Sequence, residues 1–183
     1  MLERGCRTLG VVVSWVVLSS PLAAADLITR EEALAAAYPS AAIEAERVFL
    51  TSEQVRKAAA LSGNEVPSAL VARYVARRDR AVVGRAYVDT HVIRTKRESL
   101  LISLTPDGRV RRIDVTAFLE PREYQASEPW MRQYHDRPLD DDLGLQRAIR
   151  PIAGATLTAL ATNEAVRRVL AIDRVLNEGA AYR

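Results

Sequence analysis

The chain has 183 residues, with 26 Lys and Arg against 23 Asp and Glu, a formal net charge of +3 and one cysteine. One cysteine excludes a disulfide scaffold, a zinc finger, an iron–sulfur cluster and c-type haem attachment, since each needs more than one thiol. The apolar fraction of 49% is typical of a globular protein, and the length predicts one domain.

The first 25 residues have the pattern of an export signal. Arg4 and Arg7 precede a ten-residue apolar run at residues 9–18, and an Ala-x-Ala cleavage pattern follows at residues 23–25. The run is shorter than the about 20 apolar residues that a spanning helix needs. We therefore expect a cleavable signal peptide, with an uncleaved membrane anchor as the alternative.

The mature chain, residues 26–183, is predicted to be a single periplasmic domain. It contains no cysteine, because Cys6 lies within the signal, so thiol redox chemistry is excluded. Its net charge of +2 does not predict nucleic-acid binding, which needs a clustered basic face.

Residues 26–66 are predicted to be mainly helical. Thr29, followed by acidic residues, is typical of a helix start. Thr51 and Gln54 form a capping-box pattern that begins a second helix. Between the two helices, residues 48–50 have the character of a short strand.

The middle of the chain alternates with a period of two, which predicts β-strands. The Pro-Asp-Gly sequence at residues 106–108 is a turn signature between two of them. Two basic clusters at strand ends, residues 77–80 and 94–97, are predicted to be solvated hairpin turns. We expect a four-stranded antiparallel meander, its apolar face covered by helices, with strands at residues 70–77, 82–92, 99–104 and 110–118.

The last third of the chain returns to helical patterns. Trp130 and Tyr134 suit a short helix, and residues 139–145 are loop-like. From Leu157 the apolar residues follow a period near 3.6, which predicts a long amphipathic helix that stops near Gly179. The fold class is therefore α+β, with the sheet and this helix forming a core over residues 67–183.

A short segment at the start of that helix carries the strongest chemical signal. Gly154 and Ala155 allow close approach of a ligand to the backbone, and Thr156 and Thr158 add hydroxyl groups. A helix N-terminus favours anions such as phosphate. On these residues alone, the segment fits either a phosphate site or an ordinary threonine N-cap.

The sequence Gly154-Ala155-Thr156-Leu157-Thr158 resembles the (S/T)GATx(T/S) signature of the FMN-binding domain family, which includes the flavin-bearing subunits of the Rnf and Nqr redox complexes. The resemblance implies that FMN is attached by a phosphoester to the Thr158 hydroxyl. A flavin transferase would make this bond with FAD as donor. Binding of FMN without a covalent bond is the alternative.

The resemblance extends weakly upstream, to the turn at Asp107-Gly108 and to Glu120. The chain departs from the signature at Ala153, where Ser or Thr is usual, and at Arg150, where Asp is frequent. Arg150 fits either a partner of the FMN phosphate or an ordinary surface charge. The implied cofactor-binding residues are Gly154, Ala155, Thr156, Leu157, Thr158 and Glu120.

The resemblance implies an exported electron-transfer flavoprotein rather than an enzyme. Its partners would be the flavin transferase and a redox protein, either soluble or membrane-bound. The competing hypothesis is a cofactor-free periplasmic binding module that uses the mixed strand face of Arg85, Tyr87, Asp89 and His91 against a partner.

Other polar groups have simpler interpretations. His91 and His135 are predicted to be surface or turn histidines, because no nucleophile motif accompanies them. The acidic run at residues 140–142 lacks the spacing of a calcium loop and is predicted to be a solvated turn. Trp130 and Tyr134 are expected to be core or helix-packing residues, with a flavin contact as the alternative.

Overall fold

The structure, a computed structural model, describes residues 27–178. The predicted signal at residues 1–25 and the helix stop at Gly179 lie outside this range. The elements, in chain order, are α1 Arg30–Ala37, β1 Ala42–Phe49, α2 Ser52–Ser62, β2 Leu70–Arg78, β3 Ala81–Val92, β4 Arg97–Leu104, β5 Val110–Phe118, a 3-10 turn Arg122–Tyr124, α3 Glu128–Met131, a 3-10 turn Arg132–Tyr134 and α4 Thr156–Glu178.

The α+β class and the antiparallel sheet are confirmed, but the sheet has five strands rather than four. Its order is β1-β2-β3-β4-β5, and each strand pairs with its sequence neighbour. The predicted strands reappear as β2 to β5 with ends shifted by at most two residues. The meander is therefore as expected from β2 onward.

The additional strand, β1, falls in the segment predicted to be mainly helical. It pairs with β2 over eight residues, from Ala42 opposite Arg77 to Phe49 opposite Leu70. Most β1 residues are exposed on both faces, so the strand lacks the apolar alternation that identifies a half-buried strand. The sequence therefore predicted a strand only at residues 48–50, at the end of β1.

Both predicted helix starts are confirmed. The Thr29 hydroxyl accepts the N–H of Glu32 while the Glu32 side chain accepts the N–H of Thr29. Thr51 and Gln54 make the same reciprocal pair at the start of α2. Such side chains replace the hydrogen bonds that a first helical turn lacks.

The sheet is covered on both faces. Helix α1 packs on one face around Ala33, Leu34 and Tyr38. Helices α2 and α4 pack together on the other face and enclose the main core, which includes Tyr87 and Ile102. Burial of a sheet between two helical layers removes most of its apolar surface from water.

Helix α4 runs along β3 in the opposite direction. Asp173 contacts Arg85 near the start of β3, and Arg168 contacts Asp89 further along it. The first turn of α4 at Thr156 therefore lies near the end of β3. This arrangement places the predicted FMN segment beside the β3–β4 turn.

Gly84 of β3 lies against the side chain of Tyr38, the residue that follows α1. A Cβ added there would lie 2.2 Å from Tyr38 Cε1 and 2.6 Å from the Leu104 carbonyl oxygen. We expect Gly84→Ala to lower the free energy of unfolding by about 3 kcal/mol, because overpacking forces the backbone to move. Urea denaturation measures the change. Gly144→Ala is the control, since its Cβ would be 3.8 Å from the nearest atom, and equal effects of the two substitutions would contradict the prediction.

Candidate functional site

A groove of about 680 Å³ lies between the first turn of α4, the β3–β4 turn and the segment after β5. It brings together all six residues that the family resemblance implied. Glu120 lies on one side of the groove and the 154–158 segment on the other, although 33 residues lie between Glu120 and Gly154 in the sequence. The lining residues are Ile93, Arg94, Thr95, Glu120, Pro121, Tyr124, Gly154, Ala155, Thr156, Leu157 and Thr158.

The segment before α4 is fastened by two hydrogen bonds to the α3 region. Trp130 Nε1 donates to the Arg150 carbonyl oxygen at 2.7 Å, and the Arg150 N–H donates to Gln133 Oε1 at 2.9 Å. Gly154 then has φ +80°, a left-handed conformation that favours glycine. These features fix the turn that leads into α4.

The two motif threonines differ in accessibility. Thr156 is exposed at the start of α4, whereas Thr158 is only 1% exposed. Both line the groove. Of these two groove-lining threonines, Thr156 is therefore the more exposed to solvent.

The Glu120 carboxylate lies on the opposite wall of the groove, where it accepts hydrogen bonds. Its Oε1 accepts the backbone N–H groups of Thr95 and Lys96, both at 2.8 Å. These hydrogen bonds lower the pKa of the Glu120 carboxyl, so it is ionised at neutral pH. Glu120 thus holds the β3–β4 turn in shape beside the groove.

Two arginines have different relations to the groove. Arg94 lines it, at the start of the turn that Glu120 holds. Arg150, the residue considered for phosphate pairing, is exposed and is not part of the groove lining. Sequence reasoning placed Arg94 only within a solvated turn, because its proximity to α4 depends on the tertiary fold.

The mixed face of β3 is buried under α4. The Tyr87 side chain is fully buried and Arg85 is 7% exposed. The side chains of Asp89 and His91 are 10% and 11% exposed. The face that the competing hypothesis offered to a partner is therefore not available on the surface.

His91 lies between two carboxylates rather than at the surface, so the surface prediction is wrong for this residue. Its Nδ1 is 3.0 Å from Asp89 Oδ1, and its Nε2 is 3.1 Å from Glu98 Oε2. Arg168 donates to both oxygens of Asp89, at 2.9 and 2.8 Å. Glu98 itself is fully buried. Sequence reasoning missed the cluster because Glu98 and Arg168 reach His91 from other elements.

The charges in this cluster stabilise one another. Burial alone lowers the pKa of His91, but hydrogen bonds to Asp89 and Glu98 outweigh it and raise this pKa to about 9. Burial likewise opposes ionisation of Asp89, yet His91 and Arg168 hold its pKa below the usual value. Within residues 27–178, no group of three His, Cys, Asp or Glu side chains is arranged to hold a metal ion.

The remaining candidates have structural roles. Trp130 and Tyr134 pack edge to face with ring centroids 5.6 Å apart, as expected for packing residues. Asp140 Oδ1 accepts the N–H groups of Asp142 and Leu143, and all three aspartates of this turn are exposed, as predicted.

Within residues 27–178, no helix has both the length and the apolar character needed to cross a membrane. The chain matches no protein-family model, no curated protein and no solved structure.

Proposed function

We propose that this chain is an exported flavoprotein that carries FMN in the groove and relays electrons between partner proteins. The observation that carries the proposal is the groove itself, which joins the FMN-type segment 154–158 to Glu120. When bound, FMN supplies the redox chemistry, and the protein supplies position and electrostatics. The export pattern of residues 1–25 supports a periplasmic location.

The groove has the size and chemistry that FMN needs. Its volume lies within the roughly 300–1,000 Å³ of small-molecule sites. Ile93, Pro121, Tyr124 and Leu157 give an apolar lining for a flat ring, and Leu157 and Tyr124 are 51% and 40% exposed. Covering these side chains would remove apolar surface from water.

The start of α4 suits the phosphate. The first N–H groups of a helix have no partner within it, and the positive end of the helix dipole favours an anion. Arg94 adds a cation on the facing wall. FMN held in this way would not diffuse away outside the cytoplasm. A covalent bond would retain it most firmly.

The attachment residue is either Thr158 or Thr156. The family resemblance assigns the phosphoester to Thr158. The exposure of the two side chains favours Thr156, since Thr158 is 1% exposed. Either hydroxyl would place the phosphate at the same helix N-terminus.

We expect the protein to gain the mass of one FMN less one water when it is co-expressed with an active flavin transferase, because the threonine oxygen displaces AMP from FAD and loses its proton. Thr→Val at the attachment residue removes the hydroxyl and abolishes the gain, whereas Thr→Ser at the same position retains it. Thr156→Val and Thr158→Val are compared by intact mass and by visible absorbance. The N-cap variant Thr51→Ala, away from the groove, is the control and should remain flavinylated.

The outcomes separate the alternatives. Yellow protein without a mass gain after denaturation indicates FMN bound non-covalently. Colourless, unmodified protein in the presence of a transferase that modifies a known substrate would refute the flavin proposal. If only Thr158→Val abolishes the mass gain, Thr158 is the attachment residue, as the resemblance implies. If only Thr156→Val abolishes it, the more exposed threonine, Thr156, is the attachment residue.

A further inference from the structure

A second cavity of about 580 Å³, here called the cleft, lies beside the last residues of β3. Strands β2 and β3 pair only from Arg73 opposite Tyr87 to Arg78 opposite Ala81. Beyond that ladder, β3 continues to Val92 with β4 as its one paired neighbour in the described chain. The sheet therefore opens between β2 and β3 at this end. No residue lines both the cleft and the groove.

The cleft exposes the backbone edge of β3 at residues 89–92. Thr90, His91 and Val92 all line it, although successive side chains of a strand point to opposite faces of a sheet. A cavity that meets both kinds of side chain runs along the edge between the two faces. Alternate residues of a strand direct their N–H and C=O groups to a given edge. About half of these groups in residues 89–92 therefore face the cleft, where no strand of the described chain pairs with them.

Two carboxylates on the walls of the cleft have no partner in the described part of the chain. Glu65, between α2 and β2, is exposed, and Glu164 of α4 is half-buried. Neither carboxylate makes an ion pair or a hydrogen bond within residues 27–178, and the bond from Arg168 to Glu65 reaches its backbone oxygen instead. Both carboxylates are therefore available to an occupant of the cleft.

The other charges at the cleft balance one another. His91 and Arg168 line the cleft. His91 lies between the carboxylates of Asp89 and Glu98. Arg168 donates to the same Asp89 carboxylate. Two cations thus face two anions in this cluster, and the unbalanced charge is that of the two unpartnered carboxylates. The cleft therefore favours a cationic occupant.

We propose that the cleft binds an extended basic segment of another protein, which adds to the β3 edge as a strand and directs basic side chains to Glu65 and Glu164. Strand addition uses main-chain hydrogen bonds for affinity and side chains for specificity. The edge offers donors as well as acceptors, so a peptide backbone satisfies it, whereas the protonated amines of a polyamine can only donate. Acidic peptides, nucleic acids and anionic lipids carry the same sign as the two carboxylates and are disfavoured. The inference does not rest on flavin.

The probe is the peptide acetyl-Val-Lys-Val-Lys-Val-amide, whose lysines share one face of an extended strand and whose valines share the other. NMR titration of the protein, with its processing state checked by mass, measures binding at low salt. Saturable shifts are expected at the N–H groups of residues 89–92, and none with the same peptide that has glutamate in place of lysine. Exposed ion pairs contribute about two- to fivefold each, so E65Q/E164Q should bind the basic peptide about 4- to 25-fold more weakly.

The control variant E53Q/E123Q has the same change in net charge at exposed glutamates that lie outside the cleft and make no ion pair within residues 27–178. It should bind like the unsubstituted protein, and circular dichroism checks the fold of each variant. The basic peptide with all of its backbone nitrogens methylated keeps its charge but cannot donate from its backbone. It should bind on the order of tenfold more weakly.

Three results would overturn the proposal. The first is no binding at millimolar peptide, or equal loss of binding in both double variants. The second is equal binding of the methylated peptide, which would assign the cleft to simple cations such as polyamines. The third is a dimer in light scattering that E65Q/E164Q dissociates, which would assign the cleft to a second copy of this chain.

Discussion

Asp173→Ala is expected to lower the free energy of unfolding by about 3–5 kcal/mol, the cost of removing one partner from a buried ion pair. Asp173 is 2% exposed and Arg85 is 7% exposed. The two Asp173 oxygens accept from Arg85 Nε at 2.5 Å and Nη2 at 2.9 Å, and the Tyr87 hydroxyl donates to Oδ1 at 2.7 Å. The substitution leaves a buried guanidinium and a buried phenol without this acceptor.

Chemical denaturation followed by far-UV circular dichroism measures the decrease in the free energy of unfolding. Asp107→Ala is the matched control, because Asp107 pairs with Arg109 on the surface, where such pairs contribute about 0–1 kcal/mol. A further variant, Asp173→Asn, keeps the shape and one acceptor oxygen and should lie between the two. Similar stabilities of Asp173→Ala and Asp107→Ala would show that α4 is not held by this contact.

Stability is expected to fall by about 3 kcal/mol as the pH rises from about 6.5 to about 9, because of His91. Its pKa is about 9 in the folded protein and about 6.5 when unfolded. Within this interval the folded state binds one more proton than the unfolded state, so unfolding becomes easier as the pH increases. The contribution is fully present below pH 6.5. Loss of the His91 charge leaves Asp89 and Glu98 with Arg168 as the remaining cation.

Denaturation curves at intervals across this pH range measure the effect. His91→Gln should be less stable near pH 6 and should lack the decline toward pH 9. His135→Gln is the control, because His135 is exposed and makes no ion pair in the described region. A decline that persists unchanged in His91→Gln would assign the pH dependence to other groups.

The parts of the fold that local patterns encode could be predicted. The capping residues Thr29 and Thr51 act within four positions, and the strands β2 to β5 alternate along their own length. Strand β1 could not be predicted over its full length, because its charged residues are exposed on both faces. Its structure depends on pairing with β2, which lies some 20 or more positions further along the chain.

The candidate site likewise has residues that a local pattern identifies and residues that only the tertiary fold brings together. The segment 154–158 is contiguous and carries its own signature, whereas Arg94 joins it only through the fold. The cofactor role of Glu120 stays a prediction, and what the structure shows is that its carboxylate holds the β3–β4 turn. The His91 cluster depends on contacts from β4 and α4, so alternation along β3 indicated a mixed face but not its burial.

Helix α4 completes the interior only after the whole sheet has been synthesised. A nascent chain that ends before residue 156 has Arg85, Asp89 and the core side of β3 in contact with water, without Arg168 and Asp173. Such a chain lacks the helix that covers this face of the sheet and cannot close its core. The order of elements along the chain thus delays closure of the core, and with it assembly of the groove, until the last helix has been synthesised.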